Sequence, residues 1–487
     1  MATRHVVLDA FTQPAREALR GIEALIGPRG QAWVVGGATR DALRGRLADD
    51  LDIAVPSGAL ALGRELADRL GGAFVVLDER RGVCRVVGTV HVDIADFRGP
   101  DLAEDLRGRD FTVNALAVAV PDLTARGAGA VTDSTGGVAD LEARQVRLCG
   151  PGALADDPVR VVRAVRLAIE PGWTLDAAVE SAARSAAPAL AGVSGERVRD
   201  ELVAILQAAA GPGLRLLDHL GALAVILPES LPMRRTPQSG PHRFDVWEHS
   251  LRSVEAADEI TGHLDQLEPW TAALRAHLEE GVGDGLTRAE TLKLAALLHD
   301  VAKPDTRTEI AGRIRFIGHD AIGAERARGI ADRLRLSARA GGLIARLVGQ
   351  HLRPMHLAQS GGITRRARYR FFRDLGDDAR DLMLLALADA AAVRGEAPLG
   401  VWAGAGGAIL RSLMSGEGEA QQLAMSAPLL RGDDVMSALG LSPGPQVGRL
   451  LAELREAQAL GFVSSRAEAL AYLHRLAASP RTGSTDS

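Results

Sequence analysis

Two carboxylates in the segment GGATRDALRGRLADDLDIAV, residues 36–55, have the spacing of a metal site. Asp50 and Asp52 alternate with three apolar residues, Leu51, Ile53 and Val55. This alternation predicts a strand, on which side chains two residues apart point to the same face. Two carboxylates this close repel each other, and each is costly to bury without a partner. Because a divalent cation between them removes both costs, the pair predicts a metal site.

The same region offers a phosphate site and a third acid. Gly36 and Gly37 lie between the strand-like AWVV and a predicted helix, where backbone N–H groups can approach a phosphate. Asp93 lies in a second strand-like run, VHVDIADF. Taken alone, the glycines also fit a tight turn, and each acid also fits a solvated strand edge. Together they favour nucleotidyl transfer, since Mg²⁺ held by carboxylates activates an attacking hydroxyl and neutralises a triphosphate.

The elements that must position these residues are mixed at first and helical afterwards. Strands are predicted at AWVV, LDIAV, AFVVLDE, VCRVV and HVDIADF. Helices are predicted at 1–30, at ATRDALRG and at GALALGRELADRL, the last with Ser57 as its N-cap. From about residue 156 the periodicity is helical, with no convincing strand for a long way. The predicted divisions are a head at 1–150, helices at 151–235, a second helical unit at 236–400 beginning with the linker TPQSGPHR, C-terminal helices at 401–476, and a disordered tail at 477–487.

Composition is that of a soluble globular protein with several domains. The chain has 487 residues and a formal net charge of −5. The two cysteines, Cys84 and Cys149, form neither a metal spacing nor a disulfide framework, which favours a reducing cytoplasm. The N-terminus is unlike a signal peptide, and the longest apolar stretch is too short and too charged to span a membrane. A cytoplasmic location without a membrane partner is therefore expected.

Four segments resemble, in order, the motifs of class II tRNA nucleotidyltransferases and bacterial poly(A) polymerases. They are GGATRDALRGRLADDLDIAV, EDLRGRDFTVNALAV at 104–118, TDSTGGVADLEARQVRL at 132–148 and DDPVRVVRAVRLA at 156–168. The sequence departs from the usual pattern at Ala38-Thr39, Gly108, Ser134, Asp156 and Leu167. The resemblance implies an α+β protein, in which a small mixed-sheet nucleotidyltransferase head precedes an all-α neck and body.

The resemblance also implies roles for individual residues. Asp50 and Asp52 would hold Mg²⁺, with Asp93 as the third catalytic acid. Gly36 and Gly37 would seat the triphosphate. The other residues implied to bind the nucleotide through the same motifs are Arg40, Arg109, Asp110 and Asn114.

Asp157 and Arg160 are candidates for choosing the base. At i and i+3 on a predicted helix they share a face, where a carboxylate accepts hydrogen bonds and a guanidinium donates them. Cytosine and adenine present an amino group beside a ring acceptor, whereas guanine and uracil present a carbonyl where Asp157 needs a donor. The pair therefore predicts selection of C and A without a template, with Arg163 on the same face to hold phosphate or base. An intrahelical salt bridge is the alternative, and the family resemblance favours base selection.

Histidines and aspartates form a second set in the helical unit at 236–400. His249, His299-Asp300 and Asp389 follow the order H…HD…D, which resembles the HD phosphohydrolase domain. The resemblance implies that these four residues bind a divalent metal. His319, His351 and Lys303 are candidates for a second metal or for phosphate.

The function implied is template-independent addition of C, and of A, from CTP and ATP to the 3′ end of tRNA. Between Phe97-Arg98 and Glu104 only GPDLA remains, whereas CCA-adding members carry a long flexible loop. In the family, loss of this loop accompanies CC addition, which the sequence therefore favours. The alternatives are a poly(A) polymerase or A-adding enzyme of the same family, a metal-dependent HD phosphohydrolase acting on RNA or nucleotides, and a scaffold that only binds RNA. A scaffold has no need of the acids.

The C-terminal segment 429–461 is predicted to form two helices around PGPQVG, residues 443–448. Backbone N–H groups at this helix start would suit an RNA phosphate, and an ordinary helix–helix turn is the alternative.

Overall fold

The structure, a computed structural model, describes residues 4–27, 30–240, 242–359, 363–418 and 427–478. The chain divides into two compact units, Met1–Pro228 and Glu229–Ser487. This division lies a little before the predicted linker, because the helix Ser230–Met233 packs within the second unit. Of the tail predicted at 477–487, residues 479–487 lie outside the described residues.

An eight-stranded mixed sheet forms the centre of the first unit. Its strands in chain order are β1 (His5–Val7), β2 (Trp33–Val35), β3 (Leu51–Val55), β4 (Ala73–Asp78), β5 (Val83–Val87), β6 (His91–Asp96), β7 (Leu116–Ala119) and β8 (Ala128–Asp133). Their order across the sheet is β1-β8-β7-β2-β3-β6-β5-β4. Strands β3 and β6 run parallel, and the other neighbours run antiparallel.

Helices of the head cover this sheet and follow it. They are α1 (Gln13–Ile26), α2 (Gly36–Leu43), α3 (Ala59–Leu70), α4 (Leu102–Arg107), α5 (Val120–Arg126) and α6 (Gly137–Ala143). Leu51, Ile53 and Val55 of β3 belong to the core that α1 and α3 complete. Ala54 belongs to a smaller core with Leu106 of α4, so the intervening positions of β3 face the other side of the sheet.

The rest of the first unit is helical. Its helices are α7 (Ala153–Asp156), α8 (Arg160–Ala168), α9 (Ala177–Ala186), α10 (Gly195–His219) and α11 (Ala222–Ile226). Helix α10 is kinked at Ala209, three residues before a proline that has no N–H to donate. Helices α8 and α10 pack against each other, which brings their charged side chains together.

The second unit is a helical assembly with two small hairpins. Its helices are α12 (Ser230–Met233), α13 (Val246–Gly262), α14 (Thr271–Leu278), α15 (Arg288–Leu298), α16 (Lys303–Thr306), α17 (His319–Arg333), α18 (Ala338–Gln350), α19 (Arg353–Gln359), α20 (Arg365–Leu375), α21 (Asp378–Arg394), α22 (Pro398–Ala403), α23 (Ala408–Ser415), α24 (Gly432–Leu439), α25 (Pro445–Ala459) and α26 (Arg466–Ala478). Helix α15 packs against α13, α18 and α21, and most of its buried side chains are leucine or alanine.

The α+β class and the five predicted strands are confirmed, and several local predictions are wrong. Strands β1, β7 and β8 were not expected, nor were the pair β9 (Gln145–Val146) with β10 (Thr174–Leu175) and the hairpins β11 (Gly281–Gly283) with β12 (Leu286–Thr287) and β13 (Arg307–Ile310) with β14 (Arg313–Phe316). The N-cap of α3 is Gly58, in the left-handed region, rather than Ser57. The two predicted C-terminal helices are present as α24 and α25.

Candidate functional site

Asp52 lies at the centre of a row of residues that crosses the sheet. In register, Asp52 of β3 is opposite Val35 of β2 on one side and Asp93 of β6 on the other. Asp93 in turn is opposite Arg85 of β5. Neighbouring residues in register point to the same face, so the two carboxylates lie side by side.

Gly36 lies against the carboxylate of Asp52. Its φ of +69° is in the left-handed region, and a Cβ at this position would be 2.4 Å from Asp52 Oδ2. A side chain is therefore excluded both by backbone conformation and by space. The glycine pair starts α2, and the N–H groups of a helix's first turn have no partner within the helix.

An arginine-rich cavity of about 310 Å³ opens beside Asp52. Nine residues that the sequence predicted for catalysis or nucleotide binding line it: Gly36, Gly37, Arg40, Asp52, Arg109, Asp110, Asn114, Arg160 and Arg163. Arg98 and Arg166 complete the lining. A cavity lined by six guanidinium groups and only two carboxylates suits a polyanion with several phosphates.

A buried network fixes the guanidinium of Arg163. Its Nη1 donates to Asp110 Oδ2 at 3.1 Å, and its Nε donates to Glu201 Oε1 of α10 at 2.7 Å. Arg166 also pairs with Glu201, at 3.2 Å. Asp110 accepts further hydrogen bonds from the backbone of Phe111 and from Asn114. Because Glu201 and Asp110 are both buried, they hold Arg163 in one position.

This network makes stability depend on pH in a way that one variant tests. Burial raises the pKa of Asp110, but Arg163 and the Phe111 N–H outweigh it and leave the pKa below its ordinary value. A carboxyl with a depressed folded-state pKa stabilises the fold above its unfolded pKa of about 3.9, and this contribution disappears as pH falls through the folded pKa. We expect Asp110→Asn to have a lower melting temperature than the parent at about pH 6. The difference between the two melting temperatures should shrink towards about pH 3. Thermal unfolding across this range measures it, with Asp68→Asn on the exposed side of α3 as control; a gap independent of pH would contradict the role of the charge.

Two of the three predicted acids lie outside this cavity. Asp93 is held by Arg85, which donates from Nε and Nη2 at 2.7 and 2.8 Å. Asp50 precedes β3 with its side chain 81 % exposed, 3.6 Å from the ring of His91. Burial raises the pKa of Asp52, Arg109 lowers it and the charge of Asp93 raises it, with the balance above the usual value. The Asp52 carboxylate therefore has less compensating charge than it needs, and oxygen ligands of this kind fit Mg²⁺.

Asp157 does not lie on the helix that carries Arg160, so the prediction that the two residues share one helix face is wrong. Asp157 precedes α8 with extended backbone, φ −150° and ψ 95°, because the next residue, Pro158, disfavours helical conformation before it. Its carboxylate accepts from Arg197 of α10 at 3.0 and 2.7 Å, whereas Arg160 Nε is 3.9 Å away. Arg160 instead donates to the carbonyl of Ala153 and lines the cavity.

The second unit contains a buried centre of histidines and aspartates. Within the described ranges, two sets of three side chains have potential ligand atoms all within 4.8 Å of one another: His249, His299 and Asp389, and Asp300, His319 and His351. His249 Nε2 lies 3.1 Å from Asp389 Oδ1 and 3.2 Å from His299 Nε2. His319 Nε2 lies 3.2 Å from His351 Nε2. The structure thus brings together all six histidines and aspartates predicted for this site.

Asp300 belongs to the second set and also faces the histidines of the first. Its Oδ2 is 3.2 Å from His299 Nε2 and 2.6 Å from Lys303 Nζ, and its Oδ1 is 3.4 Å from His319 Nε2. Within the part of the chain that the structure describes, neither oxygen accepts a hydrogen bond of normal geometry, although both are buried. A buried carboxylate with this surplus of acceptor capacity fits a bridging metal ligand.

Backbone carbonyls orient three of the rings towards the centre. The Nδ1 atoms of His299, His319 and His351 lie 2.8, 2.6 and 2.7 Å from the carbonyls of Ala296, Phe316 and Val348. In the tautomer that carries its proton on Nδ1, each ring has a lone pair on Nε2 facing the other ligands, as metal-binding histidines require. Burial lowers the pKa of His351 to about 4, which keeps this ring neutral.

Comparison with known proteins assigns the segments that contain both centres to known families. Residues 32–147 match the family described as "Poly A polymerase head domain", and residues 246–393 match "HD domain". The A-adding tRNA nucleotidyltransferase of Deinococcus radiodurans is 38 % identical over 457 residues, covering 92 % of this chain and 95 % of the relative. The chain belongs to the tRNA nucleotidyltransferase family.

Other relatives and structures agree with this membership. The CC-adding tRNA nucleotidyltransferase of Thermus thermophilus is 37 % identical, covering 91 % of this chain and 93 % of the relative. The structure of a Thermotoga maritima CCA-adding enzyme complexed with tRNA has a TM-score of 0.61 at 19 % identity, covering 98 % of this chain and all of the other, which shows a common fold. Residues 172–233 also match a family described as "Probable RNA and SrmB- binding site of polymerase A". Among the described helices, none is both long and apolar enough to cross a bilayer.

In this tRNA nucleotidyltransferase the third motif supports the second. Asp133 accepts four backbone hydrogen bonds at the start of α6, from residues 135–138, at 2.8–3.1 Å. Asp140 of α6 accepts from Thr112 Oγ1 at 2.5 Å and from Arg147 Nε at 2.9 Å. A Cβ on Gly137 would be 2.0 Å from the Thr112 carbonyl, so only glycine allows this close packing. The motif thereby holds the turn that carries Asp110 and Asn114.

Sequence reasoning missed two residues that line the nucleotidyltransferase cavity and a third residue that holds Arg163. Arg166 continues the i, i+3 spacing of Arg160 and Arg163 along α8, and this spacing was a usable signal. Arg98 lies two residues after the end of β6, the strand that carries Asp93. Glu201 comes from a helix that carried no motif in the sequence reading, so nothing linked it to Arg163.

Proposed function

We propose that this protein adds nucleotides from CTP, and in related reactions ATP, to the 3′ end of tRNA. The observation that carries the proposal is the arginine-lined cavity beside Asp52, in a chain whose relatives are named CC-adding and A-adding tRNA nucleotidyltransferases. Arg109 and Arg163 supply positive charge for the triphosphate, and Gly36 gives backbone access next to the Asp52 carboxylate. These groups stabilise negative charge that develops as pyrophosphate leaves.

Asp50, Asp52 and Asp93 are the residues proposed to hold Mg²⁺. When bound, Mg²⁺ would lower the pKa of the attacking 3′-hydroxyl and neutralise the phosphates. Asp52 is partly buried, Asp93 lies beside it in register, and Asp50, two residues earlier in the chain, has an exposed side chain. Arg85 neutralises Asp93 meanwhile, so ligation by Asp93 requires that this pair rearrange.

Addition of two cytidines is favoured over addition of adenosine. Strand β6 ends at Asp96 and α4 begins at Leu102, with Asp101 capping the helix by accepting from the Glu104 N–H at 2.9 Å. This short, capped connection leaves no room for the long loop that accompanies A addition in the family. The identities to the A-adding and CC-adding relatives, 38 % and 37 %, do not separate the two activities.

Extension of tRNA that lacks its 3′ CCA tests the proposal. The protein is incubated with Mg²⁺ and CTP, ATP or both, and product length is read at single-nucleotide resolution. Two residues added with CTP, unchanged by ATP, support CC addition; a third residue with both nucleotides would replace it by CCA addition. One adenosine added only to tRNA already ending in CC would identify an A-adding enzyme, and long products a poly(A) polymerase.

Asp157 and Arg160 are proposed to choose the base after Asp157 leaves Arg197. We expect Asp157→Ala to lower the preference for CTP over UTP by about ten- to a hundredfold, the worth of about 1–3 kcal/mol for base-edge hydrogen bonds. The ratio of the kcat/KM values for incorporation of the two nucleotides measures it. Asp200→Ala, an exposed change on α10, is the control. A lower rate with an unchanged ratio would assign Asp157 a structural role instead.

A second candidate function is metal-dependent phosphoester hydrolysis in the second unit. The observation that favours it is Asp300, a buried carboxylate whose two oxygens lie close to histidine nitrogens of both sets. His249, His299, Asp300 and Asp389 are proposed as ligands of one divalent metal, and His319 and His351 as ligands of a second, with Lys303 beside Asp300. Metals held in this way activate water for attack on phosphorus.

A further inference from the structure

An apolar cavity of about 550 Å³ adjoins the histidine centre. His351 and Asp389 both line it, and each belongs to a different one of the two candidate metal sets. Any molecule in the cavity therefore has one end beside both sets. The volume lies within the range that small-molecule sites of proteins have, about 300–1,000 Å³.

The rest of the wall is mainly apolar. Helices α19, α21 and α23 contribute the side chains, which include Met355, Ala358, Ala390, Val393, Ile409 and Leu410. Met355 is 46 % exposed, so part of this apolar wall is open to solvent. The cavity thus presents apolar surface away from the centre and ligand atoms at it.

Two exposed cations also line the cavity. Arg243 and Arg394 have no hydrogen bond or ion pair to other residues within the described ranges. The two acidic residues of the lining are Asp389 and Glu396. Their negative charges balance the positive charges of the two arginines before any metal binds. With divalent metal at the centre, the cavity becomes cationic, which favours an anionic ligand.

We propose that this cavity holds the organic group of a small phosphomonoester whose phosphate lies at the histidine centre. The organic group is uncharged and aromatic or heterocyclic, since it must cover apolar side chains, while Arg243 and Arg394 attract the phosphate. This proposal rests on phosphoester hydrolysis as the second candidate function, and it names the substrate class. In the reaction, water adds to phosphorus, the P–O bond to the organic group breaks, and the alcohol leaves with a proton, giving inorganic phosphate.

Binding of unreactive analogues tests the cavity without any turnover. Phenylphosphonate and methylphosphonate share one anionic head and differ in their apolar group. By titration calorimetry on the full chain after removal of metal, and again with Mn²⁺, we expect phenylphosphonate to bind at least about tenfold more tightly, because a buried phenyl ring leaves water. Equal affinities would overturn the proposal.

Filling the cavity should remove that preference. Ala390→Trp places a large ring in the space between α19, α21 and α23, and Ala338→Trp at an exposed position of α18 is the matched control. We expect the preference to fall to about one in the first variant and to persist in the second. If Ala390→Trp does not fold, Arg394→Glu replaces it, with Arg328→Glu on the exposed side of α17 as control, and weaker binding of both phosphonates is expected. An unchanged preference in a folded Ala390→Trp, or unchanged binding in Arg394→Glu, would overturn the proposal.

Hydrolysis separates failure of this proposal from failure of the hydrolase. With Mn²⁺, phenyl phosphate should be cleaved with a higher kcat/KM than methyl phosphate, and Ala390→Trp should reduce the former more. Cleavage of both esters at equal kcat/KM leaves the hydrolase standing and overturns the cavity assignment. No cleavage of either ester, together with selective phenylphosphonate binding, removes the hydrolase and supports the cavity as a binding site.

Discussion

Replacing Asp52 by alanine is expected to abolish nucleotide addition while leaving the second unit intact. Of the three acids predicted to be catalytic, Asp52 is the one that lines the arginine-rich cavity, and Gly36 is packed against its carboxylate. Loss of the proposed Mg²⁺ ligand removes several kcal/mol of charge stabilisation, which corresponds to at least about a thousandfold in rate. Single-turnover extension of tRNA lacking its 3′ CCA, with CTP and Mg²⁺, measures the loss.

Two controls make this result specific. Asp68→Ala removes an exposed carboxylate of the same head and should extend tRNA at the parental rate. Asp52→Asn keeps the size of the side chain and should be nearly as inactive as alanine, because an amide lacks the charge that a metal ligand supplies. A variant Asp52→Asn with close to normal activity would contradict metal ligation by this residue.

Replacing Asp300 by asparagine is expected to empty both metal sets of the second unit. Asp300 directs one oxygen towards His299 and the other towards His319, so one substitution weakens both proposed sites. Removal of a shared charged ligand should lower metal affinity by at least about a hundredfold. Metal content after dialysis is measured by elemental mass spectrometry. It should fall from as many as two ions per chain in the parent towards none in Asp300→Asn.

The matched variant is Asp332→Asn, which changes an exposed aspartate of α17 and should keep the parental metal content. Phosphoester hydrolysis should disappear in Asp300→Asn, whereas tRNA extension should not change. Retention of one ion in Asp300→Asn would mean that Asp300 belongs to one set alone and does not bridge. Loss of folding is monitored separately, because Lys303 loses its ion-pair partner in this variant.

The sequence predicted the site best where its chemistry follows local periodicity. Asp52 follows from strand alternation, since β3 buries its apolar residues on one side of the sheet. The order His249, His299-Asp300, Asp389 also predicted residues that meet in the structure. Side-chain identity and spacing were sufficient in both regions.

The sequence predicted the site least well where residues distant in the chain compete for the same partner. Arg85 forms an ion pair with Asp93, and Arg197 forms one with Asp157. Neither pairing can be predicted from the local sequence pattern. Pro158 was visible in the sequence, and its effect on the preceding backbone was enough to move Asp157 off the helix. Strand β7 was missed because it is buried on both faces and therefore shows no alternation.

The division of the chain into two compact units has a consequence for the cell. One polypeptide carries both proposed chemistries, so every molecule made delivers one site for building RNA ends and one for cleaving phosphoesters. Their molar ratio is fixed by the gene and cannot be adjusted through expression. Any change in the balance between synthesis and hydrolysis must then come from the supply of nucleotides, metals or substrates.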